Sequence, residues 1–222
     1  TYAGEIARAV VEHHERLDGS GYPRGLSEDQ VGLLGQIIAV AEIVAGRHVR
    51  DDSQLNSLRI ETILKLNSRR YGRDLVGHLR VFYSDATDVP ILSEDKKQNM
   101  RHRLYAISAI FAAWDTTYRE FHDSNFCHFI NEHIHALQME ILDAGVNLQT
   151  VETNILCMED SPRAAAEASV LIDEIIWRLR QLLENVRRRW PAVDEQSAAY
   201  QAVMSWMADV ERLISATSCA SS

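Results

Sequence analysis

Several things are scarce in this sequence, and each shortage excludes a class of protein. Only three cysteines occur, Cys127, Cys157 and Cys219, far apart and odd in number. That excludes a disulfide framework and suits a reducing compartment, so a cytoplasmic chain is expected. No stretch approaches the ~18 consecutive apolar residues of a membrane span, and no basic-then-apolar leader opens the chain; no membrane association is expected. Basic charge is also short: 23 Lys and Arg stand against 32 Asp and Glu, a formal net charge of -9. A general nucleic-acid binder needs clustered cations to neutralise phosphates, so no nucleic-acid partner is expected. Strict two-residue apolar alternation is missing throughout, which excludes half-buried strands and leaves an all-α protein as the expected fold class. Methionine is missing from the first position, which is Thr1, so the chain reads as a piece of something longer.

What is present is unevenly distributed. The 222 residues are 46% hydrophobic, enough to bury one large core or two small ones. Nine of the ten glycines lie at or before Gly77. Residues 1–90 hold 11 basic and 13 acidic side chains, residues 91–222 hold 12 and 19, so the later part carries most of the negative charge. A boundary near Pro90 is therefore expected, with domains at 1–90 and 91–222.

Beyond that boundary the pattern is helical. Met100, Leu104, Ile107, Phe111, Trp114, Tyr118 and Phe121 recur at steps of four and three, one stripe of a helix starting after Ser93. Phe126–Ala144 and Val146–Met158 read as further helices. Ser161-Pro162 is a helix start, with serine as cap and proline at the first helical position, and Ala168, Ile172, Ile175, Leu179, Leu182 and Val186 continue it. A last helix over Asp194–Ala216 aligns Tyr200, Val203, Met207, Val210 and Ile214. Long helices with short connections predict an antiparallel bundle.

The early part is richer in chemistry. "EIARAVVE" reads as a helix that delivers His13 and His14 at its end. "LSEDQVGLLGQIIAVAEIV" begins with Ser27 and has Gln30 three residues on, a capping box that predicts a helix from Glu28 to Ala45. Shorter helices are expected over Leu55–Leu66 and Leu75–Phe82. Between the first two helices runs "HHERLDGSGYPRGL", residues 13–26. Adjacent histidines on a helix diverge by about 100°, but at a helix end they can reach one metal cluster. Glu15 and Asp18 are candidates to orient the imidazoles by outer hydrogen bonds. Gly19, Gly21 and Gly25 permit sharp turns and close backbone approach, and Pro23 stiffens the loop after Tyr22.

The whole string, in order and spacing, resembles the HD-GYP family of bacterial signalling phosphodiesterases. "IIAVAEIVAG" is similar to that family's next helix, where an aspartate ligates metal; the matching position here is Glu42, 28 residues after His14. "RRYGRDLVGHL" looks like the segment that closes the domain, so the resemblance covers residues 1–85 or so and only the second half of the family's domain. It implies divalent metal ions, often iron or manganese, with His13, His14 and Glu42 as three of the ligands and the rest from elsewhere, and cyclic di-GMP as substrate; a piece this short need not bind the ions by itself. Arg47 and Arg50 are candidate phosphate contacts. The upstream His-Asp pair of the family is not found before His13, and His122-Asp123 lies in the wrong half. Hence the chain by itself is expected to be inactive unless a longer protein supplies the missing half. The alternative is a non-catalytic signalling adaptor contacting nucleotide or protein partners such as diguanylate cyclase domains. A dimerisation bundle, giving a homodimer through residues 91–222, is a third option.

Other features read as structural. His128, Glu132 and His135 share a helix face and include a Glu-x-x-His spacing, but amphipathicity explains them as the polar side of a helix whose core side is Phe126, Ile130, Ile134, Leu137 and Ile141. Trp114, Trp177, Trp190 and Trp206 are expected in core or interface positions. Arg187–Arg189 complement a helix C-terminus, and Cys127 and Cys157 are expected to be buried thiols.

Overall fold

Ten α-helices and no strand are found among the described residues, which in this computed structural model are 2–48, 56–83, 89, 91–190 and 197–218. The chain divides into two compact units, Thr1–Pro90 and Ile91–Ser222. No helix among the described residues is long and apolar enough to cross a membrane.

In the first unit, α1 (Tyr2–Glu12) and α2 (Leu33–His48) pack against each other, followed by α3 (Asn56–Leu66), the short α4 (Ser68–Tyr71) and α5 (Arg73–Tyr83). The α1–α2 approach is close because α2 turns a glycine toward α1: a Cβ on Gly35 would lie 3.0 Å from the Glu12 Cβ. Buried Ala39, Val40, Ile60, Leu64, Tyr71 and Val76 form a core that joins α2, α3, α4 and α5. Each large apolar side chain so buried contributes about 1.5–3 kcal/mol. Asn67 ends α3, its N–H and its Nδ2 both donating to the Ile63 carbonyl, and Gly72 at φ +91° allows the chain to turn from α4 into α5.

Three helix starts fall a turn or more later than the sequence expectation: the helix expected from Val146 begins at Val151, the one expected from Asp194 begins at Ala198, and the third lies in the first unit. A helix running from Glu28 was predicted, but Glu28–Gln30 is a single 3-10 turn and α2 begins five residues later, at Leu33. Glu28 stands at φ 46°, in the left-handed region, from which a right-handed helix does not propagate. The Ser27–Gln30 pairing is present, with Ser27 N–H donating to Gln30 Oε1 at 3.1 Å. It closes the turn, not the long helix.

The second unit is built from α6 (Glu94–Phe121), α7 (Asn125–Asp143), α8 (Val151–Asp160), α9 (Pro162–Arg189) and α10 (Ala198–Ser218). Ser93 and Ser161 accept from the backbone N–H of Lys96 and Ala164 and cap α6 and α9. From the α6 stripe, Met100, Leu104, Ile107, Phe111 and Trp114 are buried, as is the apolar face of α7. Trp114 is fully buried, 4.8 Å from Trp206 between ring centroids. Both indoles find polar partners, Trp114 Nε1–H donating to Asn131 Oδ1 and Trp206 Nε1–H to the Ile110 carbonyl. Arg178 sits between the buried carboxylates of Glu140 and Glu174 and ties α7 to α9.

One placement, that of Cys157, corrects the sequence reading here, and Trp177, expected in core or interface, is not in the core. Trp177 is 47% exposed, because its position on α9 falls outside the Ile172–Ile175–Leu179–Leu182 stripe that faces the core. Cys157 is exposed on α8 while Cys127 is buried; a thiol's place is set by its helix face, not by its residue type. Burial pushes the Cys127 thiol above its ordinary value.

Candidate metal centre

Everything at this site follows from where α1 stops. His13 and His14 lie just beyond Glu12, in a turn closed by Glu15 N–H donating to the Glu12 carbonyl at 2.8 Å. Freed from helical spacing, the neighbouring rings converge, with centroids 3.8 Å apart. Glu42 reaches the same place from the third turn of α2. His13, His14 and Glu42 each offer a donor atom within 4.8 Å of the other two, the one such cluster of His, Cys, Asp and Glu among the described residues. The two imidazoles are half-buried and the carboxylate is exposed.

The donors suit a divalent cation. His13 Nδ1 lies 2.6 Å from the Val10 carbonyl; a carbonyl only accepts, so Nδ1 carries the proton and Nε2 keeps the free lone pair. His14 Nδ1 faces Glu42 Oε2 at 3.9 Å, too far for a hydrogen bond. Ligand bonds of about 2.0–2.2 Å hold donors roughly 3.4 Å apart around a tetrahedral ion, a closure that an exposed glutamate side chain makes by rotation. Two imidazoles and one carboxylate are a known donor set for first-row metals with positions left open.

The loop behind the two histidines is held by carboxylates. Glu15 is 2% exposed and accepts from the backbone N–H of Arg24 at 2.7 Å and of Leu26 at 2.9 Å. Asp18 accepts from Ser20 N–H at 3.0 Å and from its hydroxyl, and faces Arg70 at 3.4 Å. Of the two roles open to these carboxylates, orienting an imidazole or holding the loop, the contacts formed are those of the loop, because the turn after α1 aims both at its backbone. Gly21 is obligatory, since a Cβ there would fall 2.4 Å from the Glu15 Cα. Gly19 and Gly25 take left-handed φ values of +77° and +62°. The Tyr22-Pro23 peptide bond is cis, and the Tyr22 ring stacks on His14 at 4.7 Å. Arg16 braces the turn through the carbonyls of His13 and Glu15 and lies over the Tyr71 ring. Arg47 belongs to α2 but its side chain lies outside the described residues, as does Arg50 altogether.

One residue escaped the sequence reading. Glu12 is 1% exposed and accepts from Arg8 Nε at 2.8 Å, Arg24 at 2.9 Å and Gly32 N–H at 2.8 Å. Burial works against its negative charge, but the Arg8 guanidinium, the Gly32 N–H and Arg24 together outweigh it and hold the carboxyl below its usual range. The only local signal was Arg8 four residues before it. On the polar face of α7, His128 pairs with Glu132 at 3.4 Å and with Tyr118 at 3.1 Å, and His135 is not gathered with them.

The segment that builds this site has recognisable relatives. Residues 2–56, spanning α1, the loop and α2, match the HD domain family. The relatives narrow it. The chain is 36% identical over 87 residues to a cyclic di-GMP phosphodiesterase of Thermotoga maritima, covering 37% of this chain and 23% of that one. It is 50% identical over 38 residues to 3'3'-cGAMP-specific phosphodiesterase 3 of Vibrio cholerae, covering 17% of this chain and 8% of that protein. Against cyclic di-GMP phosphodiesterase PA4108 of Pseudomonas aeruginosa it is 48% identical over 38 residues, 17% of this chain and 9% of that one. The first unit is thus similar, over part of its length, to an HD domain and to segments of cyclic-dinucleotide phosphodiesterases. The chain spans less than a quarter of the length of these relatives. No solved structure matches it.

Proposed function

We propose that the chain works in cyclic-dinucleotide signalling, as part of a metal-dependent phosphodiesterase acting on cyclic di-GMP once a His-Asp half supplies the remaining ligands. The observation that carries this reading is the convergence of His13, His14 and Glu42 within 4.8 Å inside the segment that matches the HD domain. A divalent ion held there, iron or manganese by family likeness, would polarise a phosphodiester and lower the pKa of a bound water. The chain's own contribution is to present three ligands, to hold His13 in one tautomer through Val10, and to stack Tyr22 beside His14. A two-metal clamp needs more ligands than three, so this chain alone is expected to be inactive. Arg47 and Arg50 remain the candidates for phosphate contact, and a cytoplasmic setting fits a soluble second messenger.

The family's aspartate is replaced here by Glu42, and this favours a second reading. In it the module has lost turnover and serves as an adaptor, binding cyclic dinucleotide or protein partners such as diguanylate cyclase domains, with a homodimer formed through residues 91–222. Metal content and cyclic di-GMP hydrolysis separate the two, measured on this chain alone and on a protein joining it to a His-Asp half. Two metals per chain with turnover in the joined protein would sink the adaptor; hydrolysis by this chain alone would overturn the need for further ligands.

A further inference from the structure

The three ligands come from two elements, the turn after α1 and the third turn of α2, so their meeting depends on the register between those helices. Glu42 lies nine residues beyond Leu33, about 14 Å along α2 at a rise of ~1.5 Å per residue. A small change of axis at the start of α2 is therefore magnified at the carboxylate, and a slip of one residue would swing Glu42 by about 100°. What fixes α2 at its start is the side chain of Glu12. Its Oε2 accepts the N–H of Gly32, the residue just before α2, and its Oε1 accepts from Arg8 of α1 and Arg24 of the loop. The contact is tight on every side: a Cβ on Gly32 would lie 3.1 Å from Glu12 Oε2, and one on Gly35 3.0 Å from Glu12 Cβ. Arg8 adds a second strand to the same clasp by donating to the Gln30 carbonyl at 3.0 Å.

We propose that Glu12 is a positioning residue for the metal ligands: by clasping Gly32 and Arg24 it sets the α1–α2 register that brings His13 and His14 opposite Glu42. The inference rests on the metal-centre reading of those three residues. Glu12 touches none of the ligand atoms and acts through the helices that carry them. An apolar side chain of similar size would fill the space but leave the Gly32 N–H and two guanidinium groups without their acceptor.

Cobalt(II) titration of the 222-residue chain, read by visible absorption, tests this together with imidazole nitrogen NMR signals of the metal-free protein. Glu12→Ala is expected to weaken cobalt binding by about tenfold or more, the scale seen when supports of a metal site are removed, and to shift the His13 and His14 ring signals. Glu12→Gln, which keeps an acceptor for Gly32, is expected to fall between the two. Ile63→Val, a core truncation on α3, should leave both readouts at wild-type values although it also destabilises the unit. A folded Glu12→Ala protein with wild-type cobalt affinity, spectrum and ring signals would overturn the inference. Should the unaltered chain bind no cobalt, His13, His14 and Glu42 do not hold a metal without the His-Asp half. The ring signals of the metal-free protein then decide the role of Glu12: a shift in Glu12→Ala supports it and unmoved signals refute it. If Glu12→Ala does not fold, Glu12→Gln and Arg24→Ala carry the same readouts.

Discussion

The first unit and the bundle hold themselves together by different physics. Around the histidine turn, order comes from buried carboxylates that accept backbone N–H groups: Glu12 takes Gly32, and Glu15 takes Arg24 and Leu26. In the bundle, order comes from apolar stripes, with Trp114, Ile107, Ile130, Ile175 and Leu179 shut off from solvent. A stripe tolerates a rotamer change; a loop tied by two or three hydrogen bonds to one carboxylate does not. The site is built in the less forgiving of the two, which is what holding ligands to within a fraction of an ångström requires.

Mutations can break this contrast from either side. Trp114→Ala should have the largest effect, about 3–5 kcal/mol of lost bundle stability, because it removes a fully buried ring and orphans Asn131; urea unfolding followed by helical circular dichroism measures it. Glu15→Gln should cost about 1–3 kcal/mol, since an amide can accept only one of the two loop N–H groups well. Its signature is local: hydrogen exchange should rise in residues 20–27 and not along α6 to α10. Unchanged exchange there would mean the carboxylate is not what orders the loop.

Acid sharpens the same contrast. The folded Glu12 carboxyl titrates below its ordinary value of 4.5, so its contribution to stability is whole above that value and is lost as pH falls through the lower folded value. Acid titration followed by residue-resolved NMR should therefore loosen the α1–α2 junction, and Glu12→Gln should remove that part of the pH dependence. The smallest effect expected is Ser161→Ala, about 1 kcal/mol for the loss of a cap to Ala164 N–H, seen as a small shift in the urea midpoint of the bundle.

Helices were the legible part of this protein. The stripes on α6, α7, α9 and α10 and the caps at Ser93 and Ser161 are local properties of 3.6-residue periodicity and of backbone groups at helix ends, so they can be read from neighbours in the chain. The motif at residues 13–26 was legible for the same reason, as a contiguous string. Partnerships across the chain were not. Glu12 looked like one more charged residue at a helix end, and only the packing of α2 shows that its carboxylate lies between two helices. Glu15 and Asp18 were seen beside histidines in the sequence, but a turn between them sends each side chain elsewhere. The start of α2 was misjudged because the capping pair at Ser27 and Gln30 fits a single turn as well as a long helix, and Glu28 decides between them by its φ value.

By itself, then, the amino-acid order determined an all-helical chain, the ends of most of its helices and the identity of the residues able to ligate a metal. The tertiary structure decided that His13, His14 and Glu42 meet, that Trp177 and Cys157 face outward, and that Glu12 and Glu15 serve the backbone. The reason is physical: periodicity and capping are short-range, whereas a buried carboxylate takes its role from whatever N–H groups the folded chain places around it.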